Sequence, residues 1–396
     1  MPAGRLIVLA AGKAAGSMAE TAERHYRDGG FPDARITGLA VTRHGYGRPT
    51  RLIRMVEAGH PIPDAAGLAA AADTLTLADS AGPDDLVLAL MSGGASANWI
   101  APVKGVSLAE KQAVTRALLR CGATIGEINT VRRHISRIKG GRLAARAYPA
   151  QLVTLAISDV PGDDSAAIGS GPTVPDPSTL GDARAVIARY RLDLPDSIAH
   201  ALADPANETP KPFHPAFAGT AFTLIARPAD SLRAAEQAAR SAGYEPVILG
   251  DRLEGEARDV AAGHARLALD LRRQGRRAAI LSGGELTVTL RGTGRGGPNQ
   301  EYALALAIAL EGTPGIAAIA ADTDGTDGGA GSAEDPAGAM IDAGTLGTAR
   351  ASGLDPAVFL ADNDSTGFFE RIGGLVRSGP TYTNVNDFRA ILVDTP

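Results

Sequence analysis

Residues 291–301, RGTGRGGPNQE, combine three glycines at the spacing G-x-G-x-x-G, Gly292, Gly294 and Gly297, with a cation at Arg295. This spacing is typical of loops whose backbone N–H groups approach a phosphate group. The arginine would add a bidentate cation, and the helical pattern that follows would present its positive end. The loop therefore predicts an anion site, with a purely structural glycine turn as the alternative.

A dinucleotide-binding loop makes further demands on its surroundings. It follows a buried parallel strand, and an acidic residue that binds the ribose lies about 20 residues after it. Here the preceding LTVTLRG alternates apolar and polar residues, which predicts a half-exposed, antiparallel strand. Pro298 and Asn299 intervene before the helix, and none of the next acids is well spaced. The context therefore argues against NAD binding by this loop.

A single lysine, Lys13 in AAGKAAGSMAE, lies between a continuous apolar run and an alanine-rich helical pattern. At the start of a helix, an ammonium group and free N–H groups would converge on a phosphate or carboxylate. The segment is not the G-x-x-x-x-G-K-[ST] of a P-loop. We predict that Lys13 is functional, against the alternative of a solvated surface lysine.

Two loops rich in glycine and hydroxyl groups follow other apolar runs: MSGGASAN at 91–98 and GSGPT at 169–173. Both offer N–H and hydroxyl donors without charge, which suits a phosphate group, although tight packing would use the same residues. The first loop is not a hydrolase elbow, because Leu90 stands where G-x-S-x-G requires glycine. The predicted phosphate-binding residues of the three glycine-containing loops are Ser92, Gly93, Gly94, Ser96, Gly169, Ser170, Gly171, Thr173, Gly294, Gly296 and Asn299.

Two groups of carboxylates follow predicted strands, one in SDVPGDD at 158–164 and one in ADTDGTDGGAG at 321–331. Magnesium-dependent phosphoryl transfer needs carboxylates to accept a hydroxyl proton and to hold the metal. The second group is not an EF-hand loop, since counting from Asp322 places Asp327 where glycine is required and Ala333 where glutamate is required. Ordinary Asp-Gly turns are the alternative for both groups.

His60, in AGHPIPD, could bind a substrate carboxylate or make a structural hydrogen bond with neighbouring residues. Zinc is not expected, because the sequence has one cysteine, Cys121, and no H-x-x-x-H pair.

The elements that position these residues follow a recurring strand–loop–helix pattern. The chain has 396 residues, 48 of them glycine and only 4% aromatic, which favours closely packed α/β layers. Continuous apolar runs of this kind indicate parallel strands buried on both faces. The six predicted strand–loop junctions lie at 5–20, 85–97, 151–164, 222–231, 278–285 and 316–329.

A proline-rich segment at 204–219 predicts a domain boundary, which divides the chain into 1–210 and 211–396. We expect an α/β fold of two three-layer α/β/α domains with mostly parallel sheets facing a central cleft. The N-terminal domain is expected to be Rossmann-like, and the C-terminal sheet to be mixed. Ligands of such sheets bind at the carboxyl ends of the strands.

The net charge of −5, with both signs intermixed, makes nucleic acid an unexpected partner. We expect no membrane interaction, because no apolar run approaches about 18 residues. A chain with one cysteine and no secretory signal pattern is expected to be cytoplasmic.

Several motifs together resemble the glycerate 2-kinase family, whose C-terminal part is called the MOFRL domain and would span about 276–390 here. They occur in the family's order and are GKAAGSM, EAGHPIPD, LMSGGASA, SDVPGDD with GSGPTVPDP, SGGE, GRGGPNQE, DGTDG and TNVND. The resemblance implies transfer of a phosphoryl group from ATP, with Mg²⁺, to the 2-hydroxyl of D-glycerate. Members are also labelled hydroxypyruvate reductases that use NAD(P)H, which we keep as the alternative, and a homodimer is an open expectation.

The resemblance also implies roles for single residues. Lys13 and Arg295 would neutralise charge on the transferring phosphoryl group, and Asp159 would accept the proton of the glycerate 2-hydroxyl. Asp324 and Asp327 would help to hold the metal, while His60, Glu285 and Asn386 lie in matching motifs as further ligand-binding candidates. Family members usually carry a few dozen helical residues before the first strand, so either that segment is trimmed here or this member lacks it.

Overall fold

The computed structural model describes residues 1–329 and 331–395. The chain divides into two compact units, Met1–Ile225 and a second that begins at Ala226. The boundary predicted from the prolines, between 210 and 211, comes earlier in the chain. The difference arises because the strand that follows the prolines still joins the first sheet.

The first unit is a sheet with helices on its faces. Its strands are β1 (Leu6–Ala11), β2 (Ile36–Arg43), β3 (Ile53–Ala58), β4 (Leu86–Met91), β5 (Gln151–Ile157) and β6 (Thr220–Ala226). Its helices are α1 (Ala15–Asp28), α2 (Ala65–Asp79), α3 (Ala95–Asn98), α4 (Leu108–Arg120), α5 (Ile125–His134), α6 (Arg142–Ala147), α7 (Leu180–Arg189) and α8 (Asp196–Ala203).

The first sheet has the strand order β3-β2-β1-β4-β5-β6, and its first five strands pair in parallel. This is the order of doubly wound nucleotide-binding sheets, in which the direction of winding reverses between β1 and β4. Ala11 is paired with Met91 at the carboxyl ends of these two strands. The loops that follow β1 and β4 therefore begin side by side.

Alternating residues of the central strands pack on opposite faces of the first sheet. Val87 and Met91 of β4 belong to a buried cluster that includes residues of α2 and α6. Leu88 and Leu90 of the same strand line a cavity together with Met18 of α1. Since neighbouring residues of a strand point to opposite sides, helices cover both faces of this sheet.

The second unit contains a mixed sheet. Its strands are β7 (Glu245–Gly250), β8 (Ala278–Gly283), β9 (Ile316–Asp322), β10 (Gly338–Ile341), β11 (Leu375–Val376) and β12 (Asp387–Val393). Its helices are α9 (Pro228–Ser241), α10 (Ala257–Arg273), α11 (Pro298–Leu310), α12 (Thr345–Ala351), α13 (Pro356–Ala361) and α14 (Ser365–Ile372). The strand order is β11-β10-β9-β12-β8-β7, and β12 is antiparallel to both of its neighbours. The prediction of a mixed C-terminal sheet is confirmed.

Helix α11 lies in the core of the second unit, and most of its residues are buried on every side of the helix. The extended segment before it, 286–292, was expected to be an antiparallel strand, and this prediction is wrong. The segment makes a single bridge, parallel in sense, between Thr287 and Glu256. Backbone hydrogen bonds of Thr287 to Gly255 and Ala257, both 2.9 Å, hold the segment, and the N–H of Thr289 also donates to the Glu256 carboxylate at 3.0 Å.

No helix within the described residues is both long enough and apolar enough to cross a membrane.

Candidate functional site

The loops after β1 and β4 are joined by two hydrogen bonds. The backbone N–H of Lys13 donates to the carbonyl of Gly93 at 2.8 Å, and that of Ala14 donates to the Ser92 hydroxyl at 2.9 Å. Gly12 has a φ of +117°, and a Cβ there would lie 2.4 Å from the Ser92 hydroxyl oxygen. The close approach of the two loops therefore requires glycine at position 12.

Lys13, His60 and Gly94 lie close to one another in the first unit. A methyl group at Gly94 would be 3.0 Å from the His60 ring and 3.3 Å from Cγ of Lys13. The predicted cation and the predicted histidine thus flank the same glycine at the carboxyl end of β4. This is the switch point at which doubly wound sheets bind their ligands.

The two hydroxyl-rich loops of the first unit meet through Ser96 and Ser170, whose hydroxyl oxygens are 3.0 Å apart. Ser170 adopts a left-handed φ of +64°, an unusual conformation for a residue with a side chain. Thr173 does not take part, because its hydroxyl is buried and accepts a hydrogen bond from Thr154 at 2.9 Å. Of the predicted phosphate-binding residues 169–173, Ser170 is therefore the one that contacts the first loop through its side chain.

Two cations that sequence reasoning missed hold Ser96. Arg132 Nη2 donates to the Ser96 hydroxyl at 2.5 Å, and Lys139 Nζ donates to it at 3.0 Å and to the Ser96 carbonyl at 2.8 Å. Because this oxygen accepts from two cations, its own proton is directed to Ser170. Burial and the nearby charge of Arg132 hold the pKa of Lys139 well below its usual range. The one available signal was compositional: residues 132–142 contain five Lys or Arg residues and no acid.

Asp159 follows β5 and is half-buried. Since β5 pairs in parallel with β4, Asp159 lies at the same edge of the sheet as the loop that contains Ser92. Asp164, which comes shortly after it, caps a turn by accepting the N–H of Ala166 at 2.9 Å. The position of Asp159 along the sheet edge is compatible with a role in the site.

In the second unit, the glycine-rich loop lies against residues 362–365. The N–H groups of Arg291 and Gly292 donate to Asn363 Oδ1 at 2.7 and 3.0 Å. Gly294 N–H donates to the Asp362 carbonyl at 2.9 Å, and Arg295 N–H donates to the Asp364 carboxylate at 3.1 Å. Backbone donors that the sequence assigned to an anion are thus bonded within the unit, which favours the structural glycine turn for this part of the loop.

The glycines of this loop are needed for that packing. A Cβ at Gly294 would lie 2.3 Å from Cβ of Asp364, and one at Gly296 would lie 2.1 Å from the Ser365 hydroxyl. The Arg295 side chain, by contrast, is 65% exposed and forms an ion pair with Glu370 at 3.1 Å. The Arg295 side chain is therefore accessible to a ligand.

The start of α11 is occupied by Asp327. The carboxylate oxygens of Asp327 accept the backbone N–H of Asn299 at 3.0 Å and that of Gln300 at 2.8 Å. Asp327 is fully buried, and burial raises the pKa of its carboxyl to about 6. The positive end of this helix, which the sequence assigned to an external anion, is used inside the fold.

The Asn299 side chain also lies in this network, not in a phosphate loop. Its amide donates to Asp327 at 3.2 Å and to Asp387 at 2.7 Å, and Asp387 is paired with buried Arg389 at 2.7 Å. Burial raises the pKa of Asp387 to about 7, although the charge of Arg389 opposes this shift. These buried contacts stabilise the edge of the second sheet.

The predicted metal ligands do not form a ready metal site. Asp327 uses both carboxylate oxygens on the amides of α11, and Asp324 Oδ1 accepts the N–H of Thr326 at 2.7 Å and its hydroxyl at 3.0 Å. Across 1–329 and 331–395, no three or more His, Cys, Asp or Glu side chains are grouped so that they could hold a metal ion. Asp327 therefore does not fit the role of a Mg²⁺ ligand.

Glu285 and Asn386 lie at one edge of the second sheet. Glu285 is exposed and follows β8, whereas Asn386 is buried, has a φ of +70° and accepts the N–H of Asp387 at 2.6 Å. Asp387 is paired across the sheet with Asp322, the last residue of β9. The structure thus brings Glu285, Asn386 and the 322–327 loop to a common edge of the sheet.

Comparison with known proteins gives two matching families. The profile of the domain of unknown function DUF4147 matches residues 1–203, and that of the MOFRL family matches residues 278–387.

A relative from Agrobacterium vitis named "Putative hydroxypyruvate reductase" is 50% identical over 99% of this chain and 88% of that protein. The D-glycerate 2-kinase of Thermotoga maritima is 40% identical over 97% of this chain and 89% of the relative. A crystal structure of glycerate kinase from Thermotoga maritima matches with a TM-score of 0.86 and 39% identity, covering 98% of this chain and 92% of that one.

Proposed function

The chain belongs to the glycerate kinase family whose C-terminal part is the MOFRL domain, and on that premise we propose that it is a D-glycerate 2-kinase that uses ATP. The observation that carries the proposal is the junction of Lys13 with the Ser92–Gly94 loop at the switch point of the first sheet. Doubly wound sheets bind phosphorylated ligands at this position, at the carboxyl ends of the central strands, and Lys13 places a cation there.

The proposed reaction is an in-line transfer of a phosphoryl group. The 2-hydroxyl oxygen of D-glycerate forms a bond to the γ-phosphorus of ATP while the bond between that phosphorus and the leaving oxygen of ADP breaks. Asp159 accepts the hydroxyl proton, and Lys13 neutralises charge on the phosphoryl oxygens. Such reactions depend mainly on positioning and electrostatic stabilisation, which suits a site built from loop amides, hydroxyls and cations.

Arg295 is the second candidate cation. Its accessible guanidinium is paired with Glu370, which also contacts Arg377 at 3.2 Å, so a phosphate group would compete with a carboxylate for Arg295. An exposed ion pair of this kind contributes about 0–1 kcal/mol, which is a small barrier to such an exchange.

Mg²⁺ would enter with the nucleotide and would neutralise part of the negative charge of its phosphate groups. The carboxylate arrangement of the second unit supports no metal role for Asp327, and we assign no step to a metal held there.

The alternative function is an NAD(P)H-dependent hydroxypyruvate reductase, after the name of the Agrobacterium vitis relative. The surroundings of the glycine-rich loop argue against it. The loop lies against residues 362–365, and the segment that leads into it makes a single bridge and is not a buried parallel strand.

One experiment separates the two functions. The purified protein is incubated with D-glycerate, ATP and Mg²⁺ while ADP is followed, and separately with hydroxypyruvate and NADH while NADH absorbance is followed. ADP release without NADH loss supports the kinase, and the reverse result overturns it. If enolase converts the product directly, the product is 2-phosphoglycerate. If a mutase must act before enolase, the product is 3-phosphoglycerate.

A further inference from the structure

A cavity of about 380 Å³ lies in the first unit between the 61–63 loop, α3 and α4. Its apolar part includes Pro61 and Ile100, and three cations, Lys111, Arg116 and Arg132, also line it. Gln112 fixes the loop to α4, because its side-chain amide donates to the Pro63 carbonyl at 2.9 Å. The cavity is therefore bounded by tied elements, and no carboxylate lines it.

The cations of this cavity have no acidic partner in the described parts of the chain. Lys111 is only 2% exposed, and its ammonium group donates to the carbonyls of Ile135 at 2.7 Å and Arg132 at 3.3 Å. Burial holds the pKa of Lys111 well below its usual range, and the charges of Arg132 and Arg142 lower it further. Lys139 is also fully buried, and it contacts the same serine, Ser96, as Arg132 does.

This arrangement is electrostatically unfavourable without an anion. A buried cation that has no counter-charge loses hydration without regaining it from an ion pair, and neighbouring cations add repulsion. Carbonyl oxygens at the end of α5 offset part of this cost for Lys111. An anionic group in the cavity would offset more of it, because Lys111, Arg116 and Arg132 all line the cavity.

We propose that this cavity binds a small organic anion, a molecule of a few carbon atoms with a carboxylate or phosphate group placed on Lys111, Arg116 and Arg132. The apolar residues Pro61 and Ile100 contact its carbon skeleton. The volume lies in the range of small-ligand sites. Arg132 also holds Ser96, so a ligand in the cavity contacts the residue that orients the loop after β4. The proposal does not depend on the identity of the kinase substrate.

The test is a calorimetric titration of the full-length protein with inorganic phosphate and, separately, with malonate, which distinguishes a phosphate from a carboxylate ligand. Arg116→Gln is the principal variant, since Arg116 is exposed and its removal leaves no buried group unpaired. We expect at least tenfold weaker binding of the preferred anion. Arg120→Gln removes an exposed arginine from the same helix, outside the cavity lining, and should bind like the unmodified protein.

Lys111→Met is the second variant, because an apolar side chain of similar length commonly replaces a buried charge without loss of stability. We expect it to lose anion binding by at least tenfold, while Lys104→Met, at an exposed lysine, retains it. Equal binding by Arg116→Gln and Arg120→Gln would overturn the proposal. So would anion binding that is lost in Lys13→Ala and retained in Lys111→Met, since the anion would then bind at the candidate kinase site.

Discussion

The carboxylate of Asp327 accepts the backbone N–H of Gln300 at 2.8 Å, and this contact closes the start of α11. The Gln300 side chain returns to Asp327, donating to its carbonyl at 2.8 Å. Sequence context assigned Asp327 to a metal site, but in the structure Asp327 caps α11, the helix that follows the glycine-rich loop. The consequence is that Asp327 should affect folding more than metal affinity.

Asp327→Asn should lower the free energy of unfolding by about 1–3 kcal/mol, because an asparagine amide cannot accept both backbone N–H groups and one is left unpaired. Thermal unfolding measures this loss. The Mg²⁺ concentration for half-maximal kinase activity should stay within about twofold of the unmodified protein. A tenfold rise in that concentration without a change in unfolding would instead indicate a metal ligand.

The stability that Asp327 contributes should depend on pH. Its pKa in the folded chain is about 6, above the ordinary 3.8, so the folded chain binds this proton more tightly than the unfolded chain. The contribution is greatest near pH 4 and declines as the pH rises to about 6. The difference in melting temperature between the unmodified protein and Asp327→Asn should therefore be larger near pH 4 than near pH 7. A constant difference across this range would contradict the assigned shift.

Lys13→Ala should lower kcat by about 10² or more while the melting temperature changes little, because it removes a cation that acts on the transition state. Steady-state kinetics with D-glycerate and ATP measure the effect. Lys104→Ala, at an exposed lysine of the same unit, serves as the control and should leave kcat unchanged. Near-normal turnover in Lys13→Ala would exclude this residue from the catalytic machinery.

Arg295→Ala should likewise reduce kcat by about 10² or more. Its ion-pair partner provides a matched comparison, since Glu370→Gln removes the same contact but keeps the arginine. Because the pair is exposed, both variants should unfold within about 1 kcal/mol of the unmodified protein. Equal activity losses in the two variants would show that the ion pair matters and not the guanidinium.

The sequence predicted those parts of the fold that depend on local patterns. The apolar runs before Lys13 and Ser92 correspond to β1 and β4, because a strand buried on both faces needs only a continuous apolar run to be identified. The prediction of a strand at 286–292 was wrong, since strand pairing depends on residues distant in the sequence, and here it is limited to one bridge between Thr287 and Glu256.

Long-range contacts explain the rest of what was missed in the site. Arg132 and Lys139 reach Ser96 across 36 and 43 residues, and Asp327 reaches Asn299 across 28. In sequence, the first two resemble a solvated basic stretch and the third a metal-binding turn. Arg132, Lys139 and Asp327 reach their partners only in the folded chain. Residue type and spacing could therefore identify Ser96 as a candidate, but not the two cations that bind it.

Gly294→Ala separates the two interpretations of the glycine-rich loop. A methyl group at Gly294 would lie 2.3 Å from Cβ of Asp364 and 2.6 Å from its backbone, so the loop must move away from residues 362–365. We expect a lower melting temperature and, because Arg295 moves with the loop, a lower kcat. Gly347→Ala, in α12 with no atom within 4 Å of the new methyl group, should instead stabilise the helix by up to about 1 kcal/mol. If Gly294→Ala raises the KM for ATP at an unchanged melting temperature, the glycine serves a phosphate and not the packing against Asp364.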